Sequence, residues 1–223
     1  MLALDTSTAA VLAVVVDCEG GEGVVSGSAV HIGAQHHGEQ LAVVASKALR
    51  DAGVRPSELD EIVVGVGPGP FTGLRVGIVA ARVMAAALDI PVRGVCSLDA
   101  LAATAVHEST VGSVSGARFA VAADARRKEV YWATYEIDHR SRATRIDGPY
   151  VSKPGDLPES IRLGTVLGRG TDLFVSEFGA PRAPYEPTGT GLAHAVAWAL
   201  DAGTTLAPEP IYLRRPDAVV WQS

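Results

Sequence analysis

One stretch constrains this chain more than any other: Val63-Val64-Gly65-Val66-Gly67-Pro68-Gly69-Pro70-Phe71-Thr72-Gly73-Leu74-Arg75-Val76-Gly77. A β-branched run enters a loop of alternating Gly and Pro, and the loop opens directly into an apolar helical pattern. That order predicts a strand, a tight backbone turn and a helix N-terminus. Glycines allow positive φ and close backbone approach, and a helix N-terminus favours an anion. The loop ends in no Gly-Lys-Ser/Thr, and Pro70 breaks a Gly-x-Gly-x-x-Gly pattern, so neither common nucleotide fingerprint fits. Two readings stay open: a corner that receives a phosphate or carboxylate through Gly67, Gly69, Thr72, Gly73 and Arg75, or a corner that only shapes the chain.

The rest of the first half builds around that corner. Leu2–Asp5, Ala10–Asp17 and Val24–Ile32 read as three consecutive antiparallel strands, with a hairpin turn at Glu19–Gly23. From Gln40 to Gly53, Leu41, Val44, Ala45, Ala48, Leu49 and Ala52 recur on one helical face. Thr72 is the expected N-cap of a helix to about Asp89. That helix is apolar nearly all round, with only Arg75 and Arg82 charged, so it should be covered on more than one side. Val92–Val95 is a further strand, and Ser97 should cap a helix to about His107. A Ser/Gly-rich stretch at 109–116 marks the expected boundary between a first subdomain, 1–108, and a smaller second one, 109–223, whose final tail is expected to pack back on the first. Beyond it, Phe119–Ala123 and Glu129–Ile137 form a strand pair, Val166–Gly168 a short strand and Thr190–Ala202 a last helix.

Composition narrows the function classes. A chain of 223 residues fits one large domain or two small ones. Its net charge of −6 lacks the electrostatic footprint of a stand-alone nucleic-acid binder. The cations that do cluster, Arg126, Arg127 and Lys128 with Arg140, Arg142 and Arg145 beyond, read as a solvated hairpin surface. No apolar run approaches the ~20 residues of a bilayer span. The first residues meet an acid at once without a basic region, unlike a signal peptide. Cys18 and Cys96 are too few for a disulfide framework and read as buried free thiols. Together these predict a cytoplasmic protein away from membranes.

Other chemistry-bearing residues give weaker patterns. Asp5-Thr6-Ser7 ends the first strand with a carboxylate and two hydroxyls, a set able to orient Mg²⁺–nucleotide or phosphate, or merely to cap a turn. His36-His37-Gly38-Glu39 lacks the His pair at i and i+4 that a zinc helix needs. No metal site and no Ser-His-Asp set follows from spacing.

Four blocks nevertheless occur in a telling order: Leu2-Ala-Leu-Asp-Thr-Ser7, the Gly65–Gly77 block, Asp124-Ala-Arg-Arg-Lys-Glu-Val-Tyr131 and Pro210-Ile-Tyr-Leu-Arg214. Over residues 2 to about 215 the chain resembles the bacterial TsaB family, also called YeaZ. The resemblance implies an α/β ASKHA fold (actin-like ATPase, sugar kinase, Hsp70), as two related subdomains each with a mixed sheet and helices. It also implies a non-catalytic scaffold in tRNA N6-threonylcarbamoyladenosine synthesis that binds the catalytic subunit TsaD and works with the ATPase TsaE. In that family the helix after residue 36 and the helix after Thr72 pair with their counterparts on TsaD. The implied interface is Leu41, Val44, Ala45, Ala48, Gly73, Val76, Gly77, Ala80, Ala81 and Met84. The same surface would form a homodimer when the chain is alone. tRNA would be reached only through the complex, and ATP or ADP would sit at the complex interface rather than in this chain. The catalytic relative carries a His-x-x-x-His metal pair where this chain has Cys96-Ser97-Leu98-Asp99-Ala100. The alternative is a self-sufficient ASKHA-type nucleotide hydrolase or metallopeptidase-like enzyme.

Overall fold

In the computed structural model, residues 1–8, 10–18, 23–33, 37–112 and 114–214 are described. The expected turn at Glu19–Glu22 and residue His36 lie outside them. The first sheet contains β1 (Leu2–Asp5), β2 (Ala10–Asp17), β3 (Val24–Ile32), β4 (Ile62–Gly65) and β5 (Val92–Val95), in the order β3-β2-β1-β4-β5. The first three strands pair antiparallel, and β1, β4 and β5 run parallel. Strand side chains alternate between faces, so Leu2, Leu4, Val11, Ala13, Val15, Ile62 and Val64 share one core. Ala3, Leu12, Val14, Val16, Val63 and Val95 share another. The strands covered on both faces, β1, β2 and β4, are apolar over nearly their whole length, while the edge strand β3 alternates and β5 carries Arg93.

Helices α1 (His37–Ala52) and α2 (Phe71–Leu88) cover the first of these faces. In α2 the side chains at i and i+4 stack along one line. Gly73, Gly77, Ala81 and Ala85 form that line and bring the helix close to the sheet. A Cβ on Gly77 would come within 2.2 Å of Thr6 Oγ1. The helix stops where Asp89 turns left-handed at φ 54°, one residue short of Ile90-Pro91.

The structure corrects several expectations here. Pro70, not Thr72, is the N-cap of α2; Thr72 lies inside the helix and is exposed. Leu41, Val44, Ala45 and Ala48 point into the chain's own core, as do Gly73, Gly77 and Ala81. Val76, Ala80 and Met84 pack against that core as partly buried neighbours. The interface residues implied by the resemblance are therefore largely those that hold the helices to the sheet. Periodicity finds the most apolar face, and a monomer spends that face on itself. The outer side of α2 stays uncovered instead: Val79 is 58% and Val83 61% exposed. Among the described residues α2 alone has the length and hydropathy to cross a membrane, but its inner face is committed to the core.

The second sheet holds β6 (Arg118–Asp124), β7 (Val130–Ile137), β8 (Ala143–Ser152) and β9 (Val166–Leu167), in the order β8-β7-β6-β9. Between the two sheets lies α3 (Ser97–His107), buried over most of its length. Its Ala100 and Ala103 join the first sheet's second core, while Leu98, Leu101, Ala102 and Ala105 join Phe119, Val121, Ala133 and Tyr135 of the second sheet. Short helices α4 (Glu159–Arg162), α5 (Arg169–Leu173) and α6 (Val175–Phe178) lie in the segment whose Pro and Gly content gave no sequence pattern.

The last helix, α7 (Gly189–Asp201), crosses back: Leu192, Ala193 and Val196 close the second face of the first sheet. The end of the second half thus packs back on the first sheet. The following chain also returns, pairing Leu206 with Gly94 and donating Ile211 N–H to Val66 O at 2.8 Å. α7 approaches α3 closely at Gly191, where an added Cβ would lie 2.7 Å from Ala100 O and 2.8 Å from Thr104 N. Those are backbone atoms and yield little. Gly191→Ala should therefore lower the unfolding free energy by about 1–3 kcal/mol. Urea denaturation measures it, and an unchanged midpoint would show that the crossing relaxes freely.

Candidate functional site

The parallel strands β1, β4 and β5 end side by side, at Asp5, Gly65 and Val95. In open α/β sheets the crevice beyond such carboxyl ends is where ligands bind. The second sheet faces this crevice with the β6–β7 turn. The cleft has two adjoining cavities. The inner one, about 260 Å³, is lined by Ser7, Thr8, Pro70, Asp124, Arg126, Tyr131, Arg169 and Glu186, among others. The outer one, about 270 Å³, shares Pro70, Arg126 and Tyr131 and adds Phe71, Thr72, Arg127 and Arg214.

Asp5-Thr6-Ser7 and the Gly/Pro loop do come together, but they fill each other. Thr6 Oγ1 donates to Gly73 O at 2.8 Å. A Cβ on Gly69 would stand 2.5 Å from Ser7 O. Gly67 N–H donates to Ser97 Oγ at 3.1 Å, and Ser97 N–H donates to Gly67 O at 2.8 Å. Ser97 is thus not the cap of α3; Cys96 holds that position, and the Ser97 side chain braces the loop. The glycines serve close approach between segments of this chain, and the space between Thr6-Ser7 and residues 67–73 is occupied by backbone. Arg75 stands apart. Its Nε donates to Tyr212 Oη at 2.9 Å, and its guanidinium lies over the rings of Phe71 and Tyr212.

Asp5 is buried at the strand end. Its Oδ1 accepts from Ser7 N–H at 2.7 Å and Ser7 Oγ at 2.6 Å. Oδ2 faces Gly65, has Ser97 Oγ as its polar neighbour, and makes no directed hydrogen bond. A Cβ on Gly65 would overlap it at 1.8 Å. Burial pushes this carboxyl above the usual carboxylate range, and the hydroxyl and amide around it offset only part of that.

Charges in the inner cavity are paired within the chain. Arg169 Nε reaches Glu186 Oε1 at 3.3 Å, its Nη1 reaches Asp172 at 3.1 Å, and it lies over the Tyr185 ring. Burial raises the Glu186 carboxyl, while bonds from Arg169 and the Thr8 hydroxyl pull it back. Nothing in the sequence pointed to Arg169 or Glu186, which are isolated charges in a Gly- and Pro-rich segment. Beneath the cleft, Tyr135 Oη donates to Asp99 Oδ1 at 2.8 Å and Arg145 lies 3.5 Å from the same oxygen. Cys96 is buried there, its thiol pushed up to about 12 by desolvation, so it stays protonated and a poor nucleophile. Cys18, by contrast, is only half-buried. The six cations grouped from sequence separate: Arg126, Arg127 and Lys128 form the cleft turn, Arg140 and Arg142 pair with Asp201, and Arg145 serves Asp99. Among the described residues, no three His, Cys, Asp or Glu side chains gather as a metal site requires.

A family model described as TsaD, tRNA N6-adenosine threonylcarbamoyltransferase, matches residues 27–200. YeaZ of Pseudomonas aeruginosa superposes with a TM-score of 0.78 at 29% identity, covering 95% of this chain and 98% of that one. The tRNA threonylcarbamoyladenosine biosynthesis protein TsaB of Bacillus subtilis is 34% identical over 103 residues, 46% of this chain and 42% of that protein. The chain belongs to the TsaB (YeaZ) family. Its architecture is the ASKHA fold. Mycobacterial members of this similarity group match over nearly the whole chain. A Mycobacterium tuberculosis protein is 40% identical over 219 residues, 98% of this chain and 93% of that protein. A Mycobacterium leprae protein is 41% identical over 220 residues, and the chain spans 55% of its length. The TsaB signature Gly-Pro-Gly-Pro-Phe-Thr-Gly-Leu-Arg thereby gains a physical reading: its first half packs on the Asp5–Ser7 turn, and its Phe71 and Arg75 hold Tyr212 of the returning chain.

Asp5 gives a pH test. Its folded pKa lies above the unfolded value of 3.8, so the folded state keeps this proton to higher pH than the unfolded chain. The associated stability is complete below the unfolded value and is lost as pH rises through the folded one. Asp5→Asn should remove that loss. The urea midpoint of the parent should fall relative to Asp5→Asn as pH rises above the unfolded value, and level off once the folded carboxyl itself ionises. A difference independent of pH would mean that Asp5 does not titrate as its burial requires.

Proposed function

We propose that this chain is a non-catalytic subunit of a tRNA N6-threonylcarbamoyladenosine-forming system, which binds and supports a TsaD-type catalytic subunit. The observation that carries this reading is the uncovered outer side of α1 and α2. These helices lie side by side on one sheet face. Outward they present Val43, 59% exposed, with Val79 and Val83. Exposed valines on two neighbouring helices give a partner apolar side chains to cover. The partner therefore meets Val43, Val79 and Val83, not the inward residues suggested by periodicity.

The non-catalytic part of the proposal rests on the residues that follow β5. Cys96-Ser97-Leu98-Asp99-Ala100 stands where the resemblance places a His-x-x-x-His pair, and each polar side chain there is engaged in packing or bracing. The ATPase TsaE acts alongside, tRNA is met through the complex, and ATP or ADP sits at the complex interface. In the absence of TsaD the same helices pair two copies of this chain. The compartment is the cytoplasm.

Val79→Glu should abolish co-elution with TsaD while leaving the melting temperature near that of the parent, because the side chain is exposed. Retained co-elution would overturn this surface. Depleting the protein should strip threonylcarbamoyladenosine from tRNA, as mass spectrometry of tRNA digests would read. Robust ATP hydrolysis by the isolated chain would instead favour a self-sufficient enzyme.

A further inference from the structure

We propose that the open edge of β3 is an interface with a second copy of this chain, formed by antiparallel pairing of β3 with itself about a two-fold axis at Val30. The surface differs from the outer side of α1 and α2, and the proposal stands independently of the role argued above. The two sheets end in β3, β5, β8 and β9. The edge of β5 is taken by the returning chain, where Gly94 and Leu206 exchange backbone bonds at 2.6 and 2.8 Å. β8 carries Arg145, Asp147 and Pro149, and β9 has only two residues. β3 has nine residues and contains no Lys, Arg, Asp, Glu or Pro. Among the described residues no strand pairs with its outer side. A long uncharged edge of this kind is a template for another strand, whereas charge, proline, shortness or a cover prevents pairing at the other three.

The backbone sets the register. Met1 and Val16 exchange two bonds: the terminal amine donates to Val16 O and Val16 N–H donates to Met1 O, each at 3.0 Å. Along an antiparallel strand, residues that bond one neighbour alternate with residues that bond the other. Val11, Ala13 and Val15 therefore turn to β3, where they oppose His31, Ala29 and Gly27. Ser28, Val30 and Ile32 consequently direct their N–H and C=O groups to the open side. The bulge at Val15/Val16 shifts this phase only in the first half of β3. Pairing centred on Val30 sets Val30 against its own copy and Ser28 against the partner's Ile32, so both strands use their outward groups.

Both faces of the joined sheet favour a second copy over an unrelated strand. Ser28, Val30 and Ile32 share a face with Ala10 and Leu12 across the β2–β3 register. On that face lies a cavity of about 560 Å³, walled by these residues and by Pro187 and Gly189 at the start of α7, among others. Ile32 is 80% exposed, the most of any large apolar side chain described. Directly opposed residues share a face, so the pairing brings the partner's Ile32 beside Ser28, at this cavity, and the exchange is reciprocal. On the other face α1 packs on both β2 and β3. Strands lie about 4.8 Å apart, so the two-fold axis sets the two α1 helices about 10 Å apart, a packed-helix distance. Lys47 of α1 reaches the rim of the cavity and pairs with Asp51 one turn on. An antiparallel copy of α1 presents the same cation and anion in reverse order, so opposite charges meet across the axis. A short ladder alone falls below the roughly 1,200 Å² that a stable interface buries. The helix layer and the two seated isoleucines extend the contact on both sides of the sheet.

Sedimentation velocity on the full chain across a concentration series tests this. Val79→Glu disables pairing through α1 and α2, so that variant isolates the β3 contact and should still form dimers. Adding Ile32→Lys, a charge on the edge strand, should raise the dimer dissociation constant by about tenfold or more. Its melting temperature should stay near that of the parent, because the side chain is exposed. Val30→Cys gives a second readout that adds no charge. Opposed Cα atoms in a hydrogen-bonded antiparallel pair lie about 5.5 Å apart, within disulfide reach. Mild oxidation should therefore link two Val30→Cys chains covalently, and link Val24→Cys chains, whose position on β3 does not oppose itself, far less. A monomeric Val79→Glu chain, a dimer that survives Ile32→Lys, or equal cross-linking of Val24→Cys and Val30→Cys would overturn the interface.

Discussion

Everything in this structure depends on α3 being buried from both sides. A helix that fills the space between two sheets has no solvent face to spend on charge. The segment Ser97-Leu98-Asp99-Ala100-Leu101-Ala102-Ala103-Thr104-Ala105 is accordingly built of small and aliphatic residues. Its polar members are all engaged. Ser97 braces the Gly67 backbone, Asp99 receives Tyr135 and Arg145 from the second sheet, and Thr104 bonds Ala100 O and receives Thr188 N–H. These contacts tie the loop, the second sheet and the start of α7 to one element. A buried carboxylate such as Asp99 is tolerable only because a phenol and a guanidinium meet it. The same three groups fix how the second sheet sits over the crevice.

The signature loop shows how one residue type serves two opposed purposes. Glycine lets a backbone approach a phosphate, and it equally lets a backbone approach another backbone. Gly69 is used in the second way, against Ser7, while Gly65 and Gly77 leave room for the Asp5 and Thr6 side chains. Sequence does not distinguish the two, because the approaching atoms belong to residues about sixty positions away. A ligand reading of Gly-Pro-Gly-Pro was thus reasonable locally and insufficient globally.

What was legible follows the same division. The β1–β3 and β6–β7 strands and α7 could be read closely because their apolar periods are set by burial on sheet faces. Helix existence was legible for α1 and α2, but their starts were not. Thr72 looked like a cap, while the chain begins the helix after Pro70, whose extended backbone serves as well. The apolar faces of α1 and α2 turn inward, since amphipathicity reports the face with most apolar residues, and the monomer's own sheet claims it first. β8 and the short helices α4 to α6 were invisible. Their side chains are half-exposed and carry no clean period. Arg169 and Glu186 became meaningful only when the fold set Thr8 beside them.

Charge is distributed along the cleft in a way that neither composition nor local pattern discloses. At its floor the carboxyl of Asp5 is buried with an unbonded oxygen, and the inner cavity balances Arg126 and Arg169 against Asp124 and Glu186. The adjoining cavity is lined by Arg126, Arg127 and Arg214, with Asp124 and Glu129 paired to the first and last of them. The fold keeps the crevice that open α/β sheets offer to ligands. The returning strap through Tyr212 and Arg214 joins the outer cavity to Arg75 on α2. The helix with the uncovered apolar side and that cavity are thus mechanically one piece.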